Sequence, residues 1–482
     1  MVDKVLEGLE PELLWKHFSE ISRIPRCSKH EEKVIGYITS FADSLGLDYK
    51  KDEAMNVVVR KPATPGHENA PILVLQGHVD MVCEKNNDVD HDFESDPIEL
   101  RKEGEYLYAT GTTLGADNGI GVAAALALME DEELVHGPLE LLFTVDEETG
   151  LTGAFALGED MLEGRMLINL DTEEERALYV GCAGGGESDI NMQVLWEEPS
   201  EGEALHIRCF GMKGGHSGVD IHLGRANAIK LLGRMLWKAA KEHVFSISDI
   251  TGGDKHNAIP REVEAVIVTR KDTEALKSTI MDAFKEIQFE YKSLEPDMDI
   301  EIEKAELPDK AMTEEDSRRS LHMVVSLPHG VYRMSPDIPD LVETSTSMAK
   351  IRTEDEVYIQ LASRSSSDTQ LEAIRDKIEA IAVLACAEAE RGKAYPGWLP
   401  DLDSEVLAVL KEGAEELWGK EPEIKAIHAG LECGIIGEKF GGMDMASFGP
   451  QIENPHSPDE RTRIPSVKDF WDLLALTLKK LA

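Results

Sequence analysis

The spacing of hydrophobic and polar positions changes along the chain in a way that predicts alternating helices and strands. Up to about residue 182, apolar positions three and four residues apart predict helices, and short, nearly continuous apolar runs predict buried strands. The predicted helices are Glu10–Ile21, Glu31–Leu45 and Gly119–Glu130, and the predicted strands are Met55–Arg60, Ile72–Gln76, Leu139–Val145 and Met166–Leu170. This alternation favours a layered α/β sheet.

The segment from about residue 184 to 395 follows a different pattern. Its predicted elements are the half-buried strands Glu203–Cys209 and Glu262–Thr269 and the helices Arg225–Lys241 and Ala275–Phe289. The segment is weakly self-similar, with residues 321–331 standing in the position of residues 204–218. From about residue 396 the first pattern resumes with Glu405–Trp418 and Ile424–His428. We therefore predict a discontinuous domain, residues 1–183 and 396–482, interrupted by an α+β domain, residues 184–395, with two similar halves.

The net charge limits the choice of partners. The 482 residues include 93 Asp and Glu against 50 Lys and Arg, which gives a formal net charge of −43. So acidic a chain is expected to bind neither nucleic acid nor an anionic membrane. It contains no run of 18 apolar residues, so we predict no transmembrane helix. The N-terminal stretch also lacks the apolar core of a signal peptide.

The cysteines point to a reducing compartment. They are Cys27, Cys83, Cys182, Cys209, Cys386 and Cys433, without CxxC spacing. This distribution predicts buried free thiols rather than a disulfide framework or a zinc–thiolate site. We therefore predict a cytoplasmic protein.

Three predicted strands end in side chains that can bind a metal. The residues at these ends are His78, Asp80, Asp146, Glu147, Glu148 and Asp171. The carboxyl ends of strands in an open α/β sheet lie at the edge where ligands bind. Adjacent carboxylates repel each other and are costly to desolvate, so they either face water or surround a cation.

A fourth candidate, Asp117, lies in the glycine-rich loop of GTTLGADNGIGVA. Taken singly, each of these residues has a plainer explanation: a helix cap for Asp117, solvated loop acids, or a hydrogen-bonded core histidine for His78. Taken together, they favour a pair of divalent cations, because bridging carboxylates and imidazoles suit Zn²⁺, Mn²⁺ or Co²⁺.

Seven segments resemble the co-catalytic metallopeptidases of the M20 family, in particular its aminoacyl-histidine dipeptidase branch. They are GHVDMVCEKN, GTTLGADNGIGVA, TVDEETGLTGA, LINLDTEEE, KGGHSGVDIHLGRANA, HAGLECG and NPHSPDE. The resemblance spans nearly the whole chain. It implies an α/β catalytic domain with an inserted α+β lid domain. It also implies hydrolysis of unblocked dipeptides, including Xaa-His dipeptides such as β-alanyl-histidine, with two divalent ions, zinc first and manganese or cobalt as alternatives.

The resemblance assigns roles in the catalytic domain. The implied metal ligands are His78, Asp117, Glu148, Asp171 and His456, with Asp117 bridging both ions. His78 and Asp171 would complete one metal site, and Glu148 and His456 the other. Asp80 would orient the imidazole of His78, and Glu147 would act as general base.

The resemblance also implies roles in the lid domain. His216 would stabilise the oxyanion, Asn257 would contact substrate and Arg364 would bind the C-terminal carboxylate of a dipeptide. His428 and Gly430 would line the site, and Glu432 would either line it or serve a structural role. The resemblance leaves open whether the protein is a homodimer and whether His216 serves its own site or that of a partner.

Three alternatives remain at this point. One is a related amide hydrolase, either a tripeptide aminopeptidase or an N-acyl amino acid deacylase. A second is a non-catalytic metal-binding protein on a peptidase scaffold, which the presence of Glu147 disfavours. A third is an acidic protein that binds cationic partners, which rests on net charge alone.

Overall fold

In a computed structural model that describes residues 3–199 and 201–482, the chain divides into two units. The first unit comprises Met1–Cys182, Trp398–Ala426 and Leu431–Ala482. The second comprises Ala183–Gly397 and Ile427–Gly430. The first unit is therefore discontinuous in sequence.

The helices and strands of the described residues are as follows. The α-helices are α1 (Glu12–Ile21), α2 (Glu32–Leu45), α3 (Ala116–Glu130), α4 (Thr152–Ala156), α5 (Ala228–Ala239), α6 (Thr273–Tyr291), α7 (Glu314–Ser326), α8 (Asp368–Leu384), α9 (Glu405–Trp418), α10 (Glu432–Lys439) and α11 (Ile464–Leu481). The strands are β1 (Asp48–Lys51), β2 (Val57–Lys61), β3 (Leu73–His78), β4 (Leu100–Glu103), β5 (Tyr106–Ala109), β6 (Leu139–Thr144), β7 (Met166–Asn169), β8 (Ala177–Cys182), β9 (Gly184–Gln193), β10 (Trp196–Glu197), β11 (Glu203–Phe210), β12 (Gly215–His216), β13 (Ser246–Gly252), β14 (Ala258–Ile259), β15 (Val263–Thr269), β16 (Asp299–Ala305), β17 (Ala311–Met312), β18 (Gly330–Met334), β19 (Val342–Thr353), β20 (Glu356–Ser365), β21 (Glu388–Arg391), β22 (Glu423–Ile427), β23 (Asp444–Ser447), β24 (Ile452–Glu453) and β25 (Arg461–Arg463).

The first unit is built on an eight-stranded mixed sheet in the order β1-β2-β6-β3-β7-β23-β8-β22. Its central strands β6, β3, β7 and β23 run parallel, and β3 and β6 are buried along their whole length. Parallel strands covered on both faces are expected to be continuously apolar, as these are. The Ala-rich helix α3 packs against β3 and against α1, and small side chains permit this close approach. The unit also contains a four-stranded sheet in the order β24-β25-β5-β4.

The second unit contains an antiparallel sheet of nine strands. Eight follow the order β16-β11-β15-β13-β19-β20-β9-β21, and β18 pairs with β19. Apolar side chains of these strands and of the helices α5, α6 and α7 form one core, which includes Leu232, Ile267 and Ile359. Two short ribbons, β10 with β17 and β12 with β14, complete the unit.

The predicted elements agree with the observed ones to within a few residues, with one exception. The proposed match of residues 321–331 with residues 204–218 is wrong, because Leu321–Ser326 lie in helix α7 whereas residues 204–210 lie in strand β11. Thr313 caps the N-terminus of helix α7, and its hydroxyl accepts the backbone N–H of Asp316. The buried residues of α7 recur at helical spacing. The match had been suggested by an apolar run followed by a glycine-containing loop, and such a run does not distinguish a strand from the end of a helix.

The prediction for the cysteines is wrong in two respects. Cys27 and Cys83 form a disulfide, with their Cα atoms 5.7 Å apart, and Cys386 is exposed. Cys182, Cys209 and Cys433 are buried free thiols, as predicted. The fold brings Cys27 beside the segment that follows β3, a proximity that cysteine spacing cannot reveal. Among the described residues, no helix combines the length and the apolar character needed to cross a membrane.

Candidate active site

The carboxyl ends of strands β3, β6 and β7 meet at one edge of the sheet in the first unit. The register pairs His78 with Thr144 and Gln76 with Asn169, so the residues at and beyond these positions emerge side by side. The polar residues placed there are His78, Asp80, Asp146, Glu147, Glu148 and Asp171. The edge of the sheet is thus strongly acidic.

Asp117 lies at the start of α3 and contacts two imidazoles. Its Oδ1 is 3.2 Å from His78 Nε2, and its Oδ2 is 3.2 Å from His456 Nε2. Each imidazole also contacts a second carboxylate: His78 Nε2 lies 3.2 Å from Asp171 Oδ1, and His456 Nε2 lies 2.9 Å from Glu148 Oε2. Asp117 is therefore shared by two sets of ligand-type atoms.

These atoms fit the donor set of a pair of divalent cations. Groups whose ligand atoms all lie within 4.8 Å of one another are His78 with Asp117 and Asp171, Asp117 with Glu148 and His456, and His78 with Glu147 and Glu148. Glu148 Oε1 is buried and has no hydrogen-bond partner in the described part of the chain. A buried carboxylate oxygen without a donor is costly, and a cation would satisfy it.

Protons partly balance the charge of this acid cluster. Burial raises the pKa of Asp171 to about 7 and that of Glu147 well above its usual range. Burial also acts to raise the pKa of Asp117, but hydrogen bonds from the two imidazoles outweigh it and lower that pKa. Its contacts with Asp117 and Glu148 raise the pKa of His456 to about 11. Divalent cations would take over the role of these protons, since metal binding displaces protons from its ligands.

Asp80 holds three parts of the acid cluster in place. Its Oδ1 accepts the backbone N–H of Glu147 and lies 3.3 Å from His78 Nδ1. Its Oδ2 accepts the backbone N–H of Glu148 and the hydroxyl of Ser28. Asp80 thus fixes both the imidazole and the turn that carries the two glutamates, as expected of a carboxylate behind a metal-binding histidine.

The second unit contains a cluster of opposite character, made of His216, Arg364 and His428. Arg364 Nη1 donates to the hydroxyl of Tyr395 at 3.0 Å, and Arg364 Nη2 lies 3.5 Å from His216 Nε2. His428 Nε2 lies 2.7 Å from the hydroxyl of Ser345. A guanidinium and two imidazoles therefore lie together, and His428 is buried.

Asn257 lies near His216 through the pairing of two strands, and Gly430 lies near His428 in sequence. Strand β12, which ends at His216, pairs with β14, which begins one residue after Asn257. The carbonyl of Asn257 accepts the backbone N–H of Ser217 at 2.8 Å. Gly430 lies two residues after His428, in the short segment Ile427–Gly430 that belongs to the second unit. His216, Asn257 and Arg364, which the sequence analysis places in the lid domain, are in this unit. His428 and Gly430 also belong to it, although they lie beyond the predicted lid boundary at residue 395.

Both imidazoles of this cluster are held in the neutral form. Burial, together with the nearby Arg364, lowers the pKa of His216 to about 4 and that of His428 to about 3. His216 Nδ1 accepts the backbone N–H groups of Gly218 and Val219. A neutral imidazole that accepts at Nδ1 carries its proton at Nε2. His216 Nε2 and Arg364 Nη2 are then both donors, so their 3.5 Å contact is not a hydrogen bond.

Comparison with known proteins identifies the family. Residues 74–480 match the model of peptidase family M20/M25/M40. The chain belongs to this family. The resemblance seen in the sequence is thereby confirmed, as is the assignment to the hydrolases that act on peptide bonds.

Two relatives of this M20 peptidase match it over nearly its whole length. The cytosol non-specific dipeptidase of Escherichia coli (strain K12) is 41% identical over 479 residues, which cover 99% of each chain. The crystal structure of an aminoacylhistidine dipeptidase from Vibrio alginolyticus has a TM-score of 0.92 at 40% identity and covers 99% of this chain and 98% of the other. A tripeptidase from Staphylococcus aureus, with a TM-score of 0.56 at 18% identity over 98% of this chain and 99% of the other, shares the fold. The predicted α/β peptidase fold is confirmed.

Two acids near the M20 motifs have surroundings that the sequence patterns do not predict. Glu173, which sequence context alone would place in an acidic surface loop, lies beside Asp117; burial, with the charges of Asp117 and Asp171, raises its pKa to about 9. Glu432 is fully enclosed, and its Oε2 accepts from Gln76 and Thr144. Glu432 therefore links β3 and β6 through Oε2, while its buried Oε1 has no hydrogen-bond partner among the described residues.

Two further residues contact the loop of Asp117 and were not singled out by any motif role. They are Glu460, within NPHSPDE, and Arg26, within the segment EISRIPRCSKHEEKV. Glu460 lies in one of the seven segments that resemble the family, so its place in that segment was a signal. The contacts of both residues, however, depend on residues far away in sequence.

Proposed function

We propose that the protein is a di-metal dipeptidase that hydrolyses unblocked dipeptides, including Xaa-His dipeptides such as β-alanyl-histidine. The observation that carries this proposal is the position of Asp117, which is shared by two sets of metal-ligand atoms. The names of the two relatives at 41% and 40% identity support dipeptides as the substrate class. Zinc is the first candidate for both ions, with manganese and cobalt as alternatives.

The proposed ligands are His78 and Asp171 for one ion, Glu148 and His456 for the other, and Asp117 for both. When bound, two such ions polarise the scissile carbonyl and lower the pKa of the attacking water. The protein holds these ligands at separate strand ends and loops, so the fold itself sets their spacing.

Glu147 is the proposed general base. Its backbone N–H is fixed by Asp80 at 3.1 Å, and burial raises its pKa, so its carboxylate readily accepts a proton. It would take a proton from the attacking water and then pass that proton to the leaving amine. Cations held by the neighbouring ligands would favour the ionised form of Glu147, the form that can act as base.

The second unit supplies the proposed substrate-binding groups. His216 carries its proton at Nε2, because Nδ1 already accepts two backbone N–H groups, and can therefore donate to a developing oxyanion. Arg364 has the planar fork that suits the free carboxylate of a dipeptide. Asn257 and Gly430 are proposed as further substrate contacts on the basis of the family resemblance.

We also propose a cytoplasmic location and a homodimer as the assembly to test. The name of the Escherichia coli relative, a cytosol dipeptidase, supports the location. The buried free thiols Cys182, Cys209 and Cys433 fit a reducing compartment, whereas the disulfide between Cys27 and Cys83 does not. Sedimentation of the purified protein would give the number of chains in the assembly.

A substrate panel tests the proposed activity. Protein stripped of metal with a chelator is assayed after addition of Zn²⁺, Mn²⁺ or Co²⁺ against β-alanyl-histidine, plain dipeptides, their N-acetyl and C-amide derivatives, and tripeptides. We expect metal-restored cleavage of the unblocked dipeptides and much slower cleavage of both blocked forms. The variants Asp117→Ala and Glu147→Ala are expected to be inactive.

The panel also separates the alternatives. Preferential cleavage of tripeptides or of N-acetyl amino acids by the folded, metal-loaded protein would replace the dipeptidase with another amide hydrolase. Metal binding without cleavage of any of these substrates would indicate a non-catalytic protein and contradict the proposal.

A further inference from the structure

One carboxylate outside the proposed ligand set organises the loop that carries Asp117. Glu460 Oε2 accepts the backbone N–H groups of Leu114 at 2.7 Å and Gly115 at 2.9 Å. Its Oε1 accepts those of Ala116 at 2.8 Å and Asp117 at 3.3 Å. A buried side chain with four backbone donors, 2% exposed, can occupy only a narrow range of positions.

Glu460 lies far in sequence from the backbone groups that it binds. The four N–H groups belong to residues that precede the regular part of α3, because Asp117 and Asn118 have non-helical φ and ψ angles. Buried backbone donors outside a regular helix need an acceptor from elsewhere. The acceptor here, Glu460, comes from the opposite end of the chain, four residues after His456 and within the segment between β24 and β25. Glu460 therefore connects the loop of Asp117 with the loop of His456, whose imidazole contacts Asp117.

Arg26 donates hydrogen bonds to backbone carbonyl groups, one of which is in the same loop. Its Nη2 donates to the carbonyl of Gly115, and its Nη1 donates to the carbonyls of Val79 at 2.9 Å and Asp80 at 3.0 Å. The guanidinium is 2% exposed. Arg26 thus connects the loop of Asp117 with the segment that follows His78.

Gly115, in the same loop, is closely surrounded by the side chains of Arg26 and Met81. Gly115 has φ +67°, and a Cβ atom there would lie 2.5 Å from Arg26 Nη2 and 2.7 Å from Met81 Sδ. Its N–H is bound by Glu460 and its carbonyl by Arg26, so both ends of this residue are fixed. The backbone immediately before Asp117 therefore has little freedom to move.

From this geometry we infer that Glu460 and Arg26 form a clamp that positions Asp117 as the shared ligand of the two proposed metal ions. This role rests on the proposed metal centre. Glu460 and Arg26 would hold the ligands in place before the ions bind, without being ligands themselves. The clamp joins the backbone of three ligand-bearing segments, those of His78, Asp117 and His456. Ligands must converge closely before a cation binds well, so loosening the segment of Asp117 would weaken both metal sites, and loosening that of His78 or His456 would weaken one.

The variant Glu460→Gln tests the clamp with almost no change in size. The amide nitrogen of Gln cannot accept N–H groups, so at least two of the four hydrogen bonds are lost. We expect the affinity for Co²⁺ and Zn²⁺ to fall about 10- to 100-fold, the usual effect of removing a residue that orients metal ligands. Competition with a chromogenic chelator measures the affinity, and the visible absorption of bound Co²⁺ reports ligand geometry.

Glu140→Gln is the matched control. Glu140 is also 2% exposed, and its Oε2 accepts the backbone N–H groups of Glu163 and Gly164 at 2.9 Å. It lies near the start of β6, away from the end of the strand that leads to Glu147. Loss of stability is expected in both variants, but weaker metal binding only in Glu460→Gln.

A second variant, Arg26→Lys, keeps the positive charge but replaces a planar fork with a single ammonium group. It is expected to weaken metal binding in the same direction, and it provides the test if Glu460→Gln does not fold. Metal affinities and Co²⁺ spectra equal to those of the unmodified protein in the folded variants would overturn the clamp. Failure of the unmodified protein to bind metal would instead overturn the proposed function, so the two failures are distinguishable.

Discussion

The histidines of the acid cluster and those of the cluster of His216, Arg364 and His428 have pKa values shifted in opposite directions. In the first unit, burial alone would lower the pKa of His78, but the surrounding carboxylates raise it well above its usual value. Contacts with carboxylates likewise raise the pKa of His456 to about 11. In the second unit, burial beside Arg364 lowers the pKa of His216 to about 4 and that of His428 to about 3.

The difference shows that neighbouring charge, more than burial, determines what each cluster can bind. Imidazoles that would be protonated among carboxylates mark a cluster that cations complete. Neutral imidazoles beside a guanidinium mark a cluster that carboxylate or carbonyl oxygens complete. The same side chain therefore serves as a candidate metal ligand in one unit and as a candidate donor to substrate in the other.

Removing the base from the acid cluster should have the largest effect. Glu147→Gln keeps the size of the side chain and the backbone bond to Asp80 but cannot accept a proton. We expect kcat for dipeptides to fall by about 10²- to 10⁴-fold. Metal content, measured on the same preparation, should stay unchanged. A variant that keeps its metal and more than half of its activity would show that Glu147 is not the base.

Opening the disulfide should affect the stability of the first unit. Cys27 and Cys83 are 56 residues apart in sequence, and Cys27 adjoins both Arg26 and Ser28, which contact the acid cluster. The double substitution Cys27→Ser and Cys83→Ser should lower the free energy of unfolding by about 2–4 kcal/mol. Urea unfolding measures this change, with the exposed free thiol variant Cys386→Ser as the control. Equal stability of all three proteins would show that the bond contributes nothing.

Altering the guanidinium tests the second cluster. Arg364→Lys keeps the charge but loses the fork, so kcat/KM for unblocked dipeptides should fall by about 10- to 100-fold, as for loss of a charged hydrogen bond of about 1.5–3 kcal/mol. The C-amide of the same dipeptide should be affected much less. Arg234→Lys, which changes a surface pair with Glu290, serves as the control. An equal loss on both substrates would contradict the carboxylate role.

Lowering the pH should reduce the free energy of unfolding, because the neutral imidazole of His428 becomes protonated when the chain unfolds. The pKa of His428 is about 3 in the folded protein against an ordinary value of 6.5, so the unfolded chain binds more protons between these values. Stability from this residue is therefore present above pH 6.5 and is lost as pH falls, by roughly 2 kcal/mol at pH 5. The stability difference between the unmodified protein and His428→Gln should narrow by that amount from pH 7 to pH 5. A difference independent of pH would contradict the lowered pKa.

The sequence predicted the parts of the molecule that depend on local pattern. Apolar runs located the central strands of both sheets, and polar residues at strand ends located His78, Glu148 and Asp171 at one edge. These inferences succeed because strand direction alone brings the ends of parallel strands together. The family resemblance added His456, which the structure places against Asp117.

The features that were missed depend on contacts between distant segments. Glu460 lies 343 residues from Asp117, and Arg26 lies 89 residues from Gly115, so no local pattern links them. The same holds for the bond between Cys27 and Cys83. The incorrect match of residues 321–331 arose because a short apolar run reads equally as strand or as the end of a helix.

The most direct test of the account is the number of divalent ions bound per chain. Elemental analysis after dialysis against limiting Zn²⁺ would be made on the unmodified protein and on Asp117→Ala. Because Asp117 belongs to both proposed ligand sets, we expect two ions per chain in the unmodified protein and the loss of both in the variant. A single ion in the unmodified protein, or two ions retained without Asp117, would contradict it.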